Sequence, residues 1–264
     1  MKLQPSFAVL LSSLLPFAFL TAACSGSEDD NTDGTGGATS SAGGTGGGDP
    51  GAGESWDGKT YVLAVPAENW VRPQGIGGEI GPHVPPFAIS IGACAAGTCS
   101  VTLGTANDDG TGVYAQQMCT ATVATTAAAT PPTFQLGPVD FPMYIVNTAV
   151  QGVAVYATAH DLTIKDVLPG STAAVAPGSL TAVVDVRELA PMFTQIAKES
   201  RNPDGLCTQL AQFGSPCEIC SFDQKAYCLT LEAVQLAASH APNLTLQPVV
   251  VGAPSAQCPT TPNL

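Results

Sequence analysis

Charged side chains are scarce in this 264-residue chain: Asp, Glu, Lys and Arg make up 11% of it, and 8 basic residues face 21 acidic ones. The resulting formal charge of −13 repels phosphate backbones and anionic lipid headgroups, which excludes nucleic acid as a natural partner. Histidine is rarer still. His83, His160 and His240 stand far apart in sequence. No Gly-x-Ser-x-Gly elbow and no His-Glu-x-x-His pair occurs, so nothing local marks a serine hydrolase or a zinc protease. A triad assembled from distant residues leaves a dispersed hydrolase site open as an alternative. Beyond the first two dozen residues no apolar run exceeds strand length. The longest lie at 152–159 and 180–186, far short of the ~20 residues a membrane-spanning helix needs. Two glycine patterns match phosphate loops by letter only. Gly53 to Thr60 spells a P-loop and Gly46-x-Gly48-x-x-Gly51 a dinucleotide fingerprint, yet neither follows a strand and opens a helix where backbone N–H groups would converge on phosphates. No cofactor is expected.

What the chain has instead is Ala, Thr, Val, Gly and Pro in short alternating runs. Strands are predicted at 60–65, 87–91, 100–103, 113–123, 134–136, 141–146, 152–164, 180–186 and 244–251, with turn residues between them. Residues 70–73 and 75–86 read as a Pro/Gly-rich excursion. Asp108-Asp109-Gly110 reads as a hairpin turn, since Asp-Gly favours one and the spacing lacks the alternating ligands of a calcium loop. The character changes after Val186. A short helix is predicted at 191–198 and a second at 206–213, capped by Asp204 and ended by Gly214. Residues 227–238 return to alternation, with a helix there left open. The pattern predicts a mainly β fold, an antiparallel sandwich or partly closed barrel, carrying a small disulfide-stapled helical insert at about 187–228. Tyr61, Trp70 and Phe87, with Pro85-Pro86 nearby, would line an apolar pocket or a sugar-stacking surface, or else pack the core.

Nine cysteines are present: Cys24, Cys94, Cys99, Cys119, Cys207, Cys217, Cys220, Cys228 and Cys258. Setting Cys24 aside leaves eight, an even number that reads as four disulfides in an oxidising compartment. Cys94 and Cys99 flank a turn. Cys207, Cys217, Cys220 and Cys228 cluster and are expected to pair among themselves, which leaves Cys119 and Cys258 for a long-range link. Cys217-Glu218-Ile219-Cys220 spells a CxxC, but Glu218 would raise a neighbouring thiol pKa, and no βαβ setting surrounds it. A four-thiolate zinc site is the remaining alternative; its spacing lacks the second close pair of a zinc ribbon.

Cys24 has its own context. Met1-Lys2 supplies a positive start, residues 7–20 an apolar core, and Leu20-Thr21-Ala22-Ala23-Cys24 a small-residue cleavage site. This run resembles the lipobox of bacterial lipoproteins, with Leu20 one place ahead of the usual leucine. The resemblance covers the first 24 residues only. It implies that residues 1–23 are removed as a signal peptide and that Cys24 becomes the fatty-acylated N-terminus. It also implies an extracytoplasmic chain held to a membrane by lipid, with Ser25 favouring the outer membrane. Residues 24–58 then form a Gly/Ser/Thr-rich spacer too poor in apolar groups to fold, and 59–264 a single β-rich domain. The expected function is a non-catalytic binding or surface-interaction module of the cell envelope, holding a small apolar ligand or an envelope partner.

Overall fold

The computed structural model describes residues 55–75, 77–147, 153–170, 178–193, 202–250 and 258–260, all within one compact unit, Gly47–Leu264. Eleven strands organise it: β1 (Thr60–Leu63), β2 (Trp70–Arg72), β3 (Phe87–Ala95), β4 (Thr98–Asp108), β5 (Tyr114–Gln116), β6 (Val123–Thr130), β7 (Thr133–Val146), β8 (Ala154–Lys165), β9 (Gly178–Asp185), β10 (Cys228–Leu236) and β11 (Ser239–His240). Every pairing is antiparallel, in the order β11-β1-β3-β4-β6-β7-β8-β9-β10-β2, with β5 on the end of β4. The fold is thus mainly β, as its alternating pattern predicts.

The sheet rolls without closing. β10 and β11 lie towards opposite ends of the strand order, yet only residues 237–238 separate them. Three chain steps reach at most about 11 Å, roughly two strand spacings. Residues 64–69 make a second short crossing, from β1 to β2. Both crossings draw the two edges together, and no ladder joins them. The concave face is filled by one apolar cluster. β8 illustrates how: Val155, Ala157 and Ala159 are buried, while Tyr156, Thr158 and His160 between them are half-buried on the other face. Phe87 on β3 meets Phe141 on β7 at 5.9 Å between ring centres, across two intervening strands. Phe134, Phe141, Leu63, Ile89, Leu103, Leu136 and Leu162 are all under 2% exposed, and such side chains contribute roughly 1.5–3 kcal/mol each.

Several elements differ from their predicted form. Residues 133–146 are one strand; Gly137, at φ +92°, sits in a bulge where an added Cβ would lie 2.0 Å from the Leu162 carbonyl oxygen. Trp70–Arg72, read as part of an excursion, is the edge strand β2. The predicted strand at 113–123 reduces to Tyr114–Gln116 and, at its last residue Val123, the start of β6. The strand that follows, β6, has a burial pattern supplied by alanines (Ala127 and Ala129 buried) instead of large apolar groups. Residues 244–250 form no strand. Pro248 offers no N–H, and the neighbouring chain is itself irregular. Side chains and a single backbone bond hold the segment in place of a ladder: Gln116 Nε2 donates to the Gln247 carbonyl (2.8 Å), Thr122 Oγ1 accepts from the Val249 N–H (3.0 Å), and the Thr122 N–H donates to the Val249 carbonyl (3.1 Å). Val251 lies outside the described residues.

The helical insert takes shape as α2 (Val186–Leu189), a 3-10 turn at Ala190–Phe193, and α3 (Pro203–Gln212). A further short turn, α1 (Gly77–Ile80), belongs to the loop before β3. The predicted helix at 191–198 overlaps the 3-10 turn, and its residues 194–198 lie outside the described residues. α3 is capped two residues earlier than expected. Asn202 is the N-cap, accepting from the Gly205 N–H at 2.7 Å, and Pro203 takes the first position. Gly214, at φ +81°, ends the helix and donates to the Ala211 carbonyl.

Candidate functional site

Four disulfides join Cys94 to Cys99, Cys119 to Cys258, Cys207 to Cys217, and Cys220 to Cys228. Cys217 and Cys220 therefore belong to different bridges: they form no redox pair, and the four clustered sulfurs are not zinc thiolates. Among the described residues no group of His, Cys, Asp and Glu is arranged to hold a metal ion. So many structural bridges mark an oxidising, extracytoplasmic environment. No helix among the described residues is long and apolar enough to cross a membrane. Cys24 lies outside the described residues.

Tyr61, Trp70 and Phe87 share one core, at 3%, 8% and 2% exposure. They line neither of the two surface clefts described below. Trp70 is wedged against Ala67, Gly77 and Gly81; a Cβ on Gly77 would sit 2.6 Å from Trp70 Cβ. Its indole Nε1 is buried without a hydrogen-bond partner.

The three histidines do not meet. His240 is exposed, its ring 5.6 Å from that of Tyr61. His83 borders a cleft with Asp108 and Tyr144. His160, on the outward face of β8, has Nδ1 3.3 Å from Asp140 Oδ1 and its ring centre 4.3 Å from that of Phe222, in the loop of the Cys220–Cys228 bridge. Asp140 also accepts from the Asp161 N–H at the β8 bulge. Half of a triad is thus present, but Asp140 is 65% exposed and no serine hydroxyl among the described residues bonds His160.

Sequence reading gave no hint of the polar hub beside it. Asp185, buried at the end of β9, caps α2 through the Arg187 N–H (2.9 Å) and clasps the Arg187 side chain, with Nε at 2.8 Å. Arg187 also reaches Asp223 at 2.6 Å and lies over the Tyr227 ring, 5.1 Å from its centre. Tyr227 donates its hydroxyl to Asp204 on α3 (2.7 Å). The hub ties the end of the sheet to α2, α3 and the loop of the Cys220–Cys228 bridge. Its hydrogen bonds to Asp185 and then to Asp223 raise the Arg187 pKa, and Arg187 in turn holds the Asp223 carboxyl below its usual range. Next to it, burial pushes the Glu188 carboxyl up, against the opposing effect of the Thr158 N–H it accepts at 2.7 Å. The Asp185-Val186-Arg187 spacing of the cap is the one local signal that could have marked it, because the other partners come from distant elements.

Two of the clefts formed by the described residues enclose about 290 Å³ each. One lies by Pro82–Pro86, closed below by Gln117 and Tyr144. The other is walled by residues 71–74 of the β2 edge and by residues 214–218 after α3, with Leu229 and Thr230 of β10 as its floor. The Cys207–Cys217 bridge fixes its second wall. Ser215 is 9% exposed, lines this cleft, and its hydroxyl makes no hydrogen bond within the described protein. Glu218 accepts from Thr230 Oγ1 through one carboxylate oxygen (2.7 Å), and Arg72 Nε lies 3.6 Å from Glu232. No aromatic residue lines it, so it offers no face for a sugar to stack on. Its groups suit hydrogen-bonded recognition, and it lacks any nucleophile–base pair. No family model, curated protein or solved structure matches the chain.

Proposed function

We propose that the chain is a non-catalytic binding module outside the cytosol, tethered through an acylated Cys24 to the outer membrane, the side that Ser25 favours. The observation that carries the binding part is the cleft floored by Leu229 and Thr230. Its second wall is held by the Cys207–Cys217 disulfide and the Glu218–Cys228 bridge, and it presents polar groups without a catalytic pair. A small apolar ligand within the sheet layers has weaker support, because Phe87, Phe134 and Phe141 fill the concave side. The support for the anchor is the lipobox resemblance together with the oxidised cysteines, since acylation and disulfide formation both occur after export.

Metabolic palmitate labelling followed by native mass spectrometry of the purified protein tests both parts. The expected protein carries acyl mass on a chain beginning at Cys24 and four disulfides, and retains a bound species. Cys24→Ala abolishes label and membrane association. A labelled chain still starting at Met1, or an unlabelled one, overturns the anchor; recovery with no partner under any envelope extraction overturns the binding reading. The Asp140–His160 pair favours a second reading, a hydrolase. Esterase or peptidase activity lost in His160→Ala would establish it in place of the first.

A further inference from the structure

The floor of the first cleft is a gap in the sheet edge. One flank of β10 pairs fully with β9, from Cys228↔Asp185 to Leu236↔Gly178. Among the described residues the other flank has backbone pairing in two places, and the Asn69 side chain donates to the Gln235 carbonyl near its end. β2 covers Glu232 and Ala233, and an isolated bridge covers Cys228, where Glu218 and Cys228 exchange both backbone hydrogen bonds (2.7 and 3.0 Å). Between them lie Leu229, Thr230 and Leu231.

Strand phase says which of these three faces outwards. Backbone groups of alternate residues point to opposite edges of an antiparallel strand. Cys228 points to Glu218, while the Tyr227 carbonyl accepts from Val186 on the β9 side at 2.8 Å. Leu229 and Leu231 therefore point to β9, and Thr230 directs both its N–H and its C=O into the cleft. In register, its partner would be Gln74, but the chain turns away at Pro73–Gly75, and no residue among those described bonds the Thr230 backbone. The edge is short, walled on both sides, and backed by the unpartnered Ser215 hydroxyl.

We propose that this gap is a strand-docking slot, in which about three residues of an extended peptide from another protein complete the β10 edge by exchanging two backbone hydrogen bonds with Thr230. Charge selects the occupant. Glu218 and Arg72 both line the slot, and Arg72 is already paired with Glu232. The slot thus keeps a net negative charge and takes a peptide whose central side chain is Lys or Arg. The inference rests on the binding-module reading and gives that module its ligand class.

Amide hydrogen exchange on the purified, oxidised protein tests it, with a positional-scanning library of acetylated, amidated pentapeptides as the probe. In the free protein, the Thr230 amide exchanges much faster than those of Leu229 and Leu231. Pools with central Lys or Arg slow it. N-methylation of the central amide weakens binding about tenfold, as expected when one of two hydrogen bonds of ~1 kcal/mol is lost and the other strained. Glu218→Gln removes the preference for Lys over Glu at the centre while leaving the fold intact. Protection of Thr230 in the free protein, no protection by any pool, or indifference to N-methylation overturns the slot. Equal binding of Lys-centred and Glu-centred pools overturns the ligand class. A species co-purifying with the protein but leaving Thr230 exchange unchanged would sink the slot and leave the binding module standing.

Discussion

Replacing Cys119 and Cys258 by alanine removes a cross-link between residues 139 apart in sequence, whereas Cys94→Ala with Cys99→Ala removes one spanning only 5. If disulfides act here mainly by restricting the unfolded chain, loop length sets the cost. Closing the long loop corresponds to about 5 kcal/mol and the short one to about 2 kcal/mol at 25 °C. The native state gives little of this back, because other contacts hold the tail. Tyr144 donates its hydroxyl to the Pro259 carbonyl at 2.7 Å, and Cys258 packs with Tyr144 and Ala154. Guanidinium unfolding followed by tryptophan fluorescence is a suitable assay, since Trp56 and Trp70 are 5% and 8% exposed and report loss of the core. The long-loop variant should lose about 3 kcal/mol more than the short-loop variant, and its m-value should rise as its unfolded chain opens. Equal losses would refute the chain-restriction argument. A larger loss from the 94–99 pair would mean that the β3–β4 turn depends on its bridge for native geometry.

The strands that could be read from sequence are those whose large apolar residues alternate against small or polar ones. β8 is the clearest, and β9 and β10 follow the same rule. β6 was hidden because its inward residues are alanines, no more apolar by composition than a loop; only its neighbours β4 and β7 make it a strand. β2 was hidden because three residues carry no period. Asn202, not Asp204, caps α3, and the Asn-Pro pair is the local signal for that start, since proline suits the first helical position. The site was harder to read. The slot depends on the relative register of β2, β10 and residue 218, and the Arg187 hub on four segments meeting. Neither leaves a mark at any one position in the chain.

Glycine geometry offers a second test. Gly137→Ala places a methyl 2.0 Å from the Leu162 carbonyl and should cost more than about 3 kcal/mol, whereas Gly110→Ala, also at positive φ but with open space around it, should cost about 1 kcal/mol. Similar denaturation midpoints for the two would show that the bulge yields to the methyl. Glu188→Gln tests the buried carboxyl by its pH signature. Burial raises its folded pKa, so the folded state holds this proton more tightly than the unfolded chain does. The group then costs stability above the ordinary glutamate pKa, and the cost grows until pH passes the folded value. Glutamine keeps an acceptor for the Thr158 N–H without the charge. The melting temperature of Glu188→Gln should therefore match that of the wild type below the ordinary glutamate pKa and exceed it once pH rises above that value. Asp223→Asn should do the reverse. Arg187 lowers that carboxyl's folded pKa, so its contribution is present above the ordinary aspartate pKa and lost as pH falls through the folded value. Parallel melting curves for Glu188→Gln and wild type across this range would mean that the Glu188 carboxylate is solvated in the folded protein, and that the covering of β8 by α2 is looser than its 2.7 Å bond to Thr158 implies.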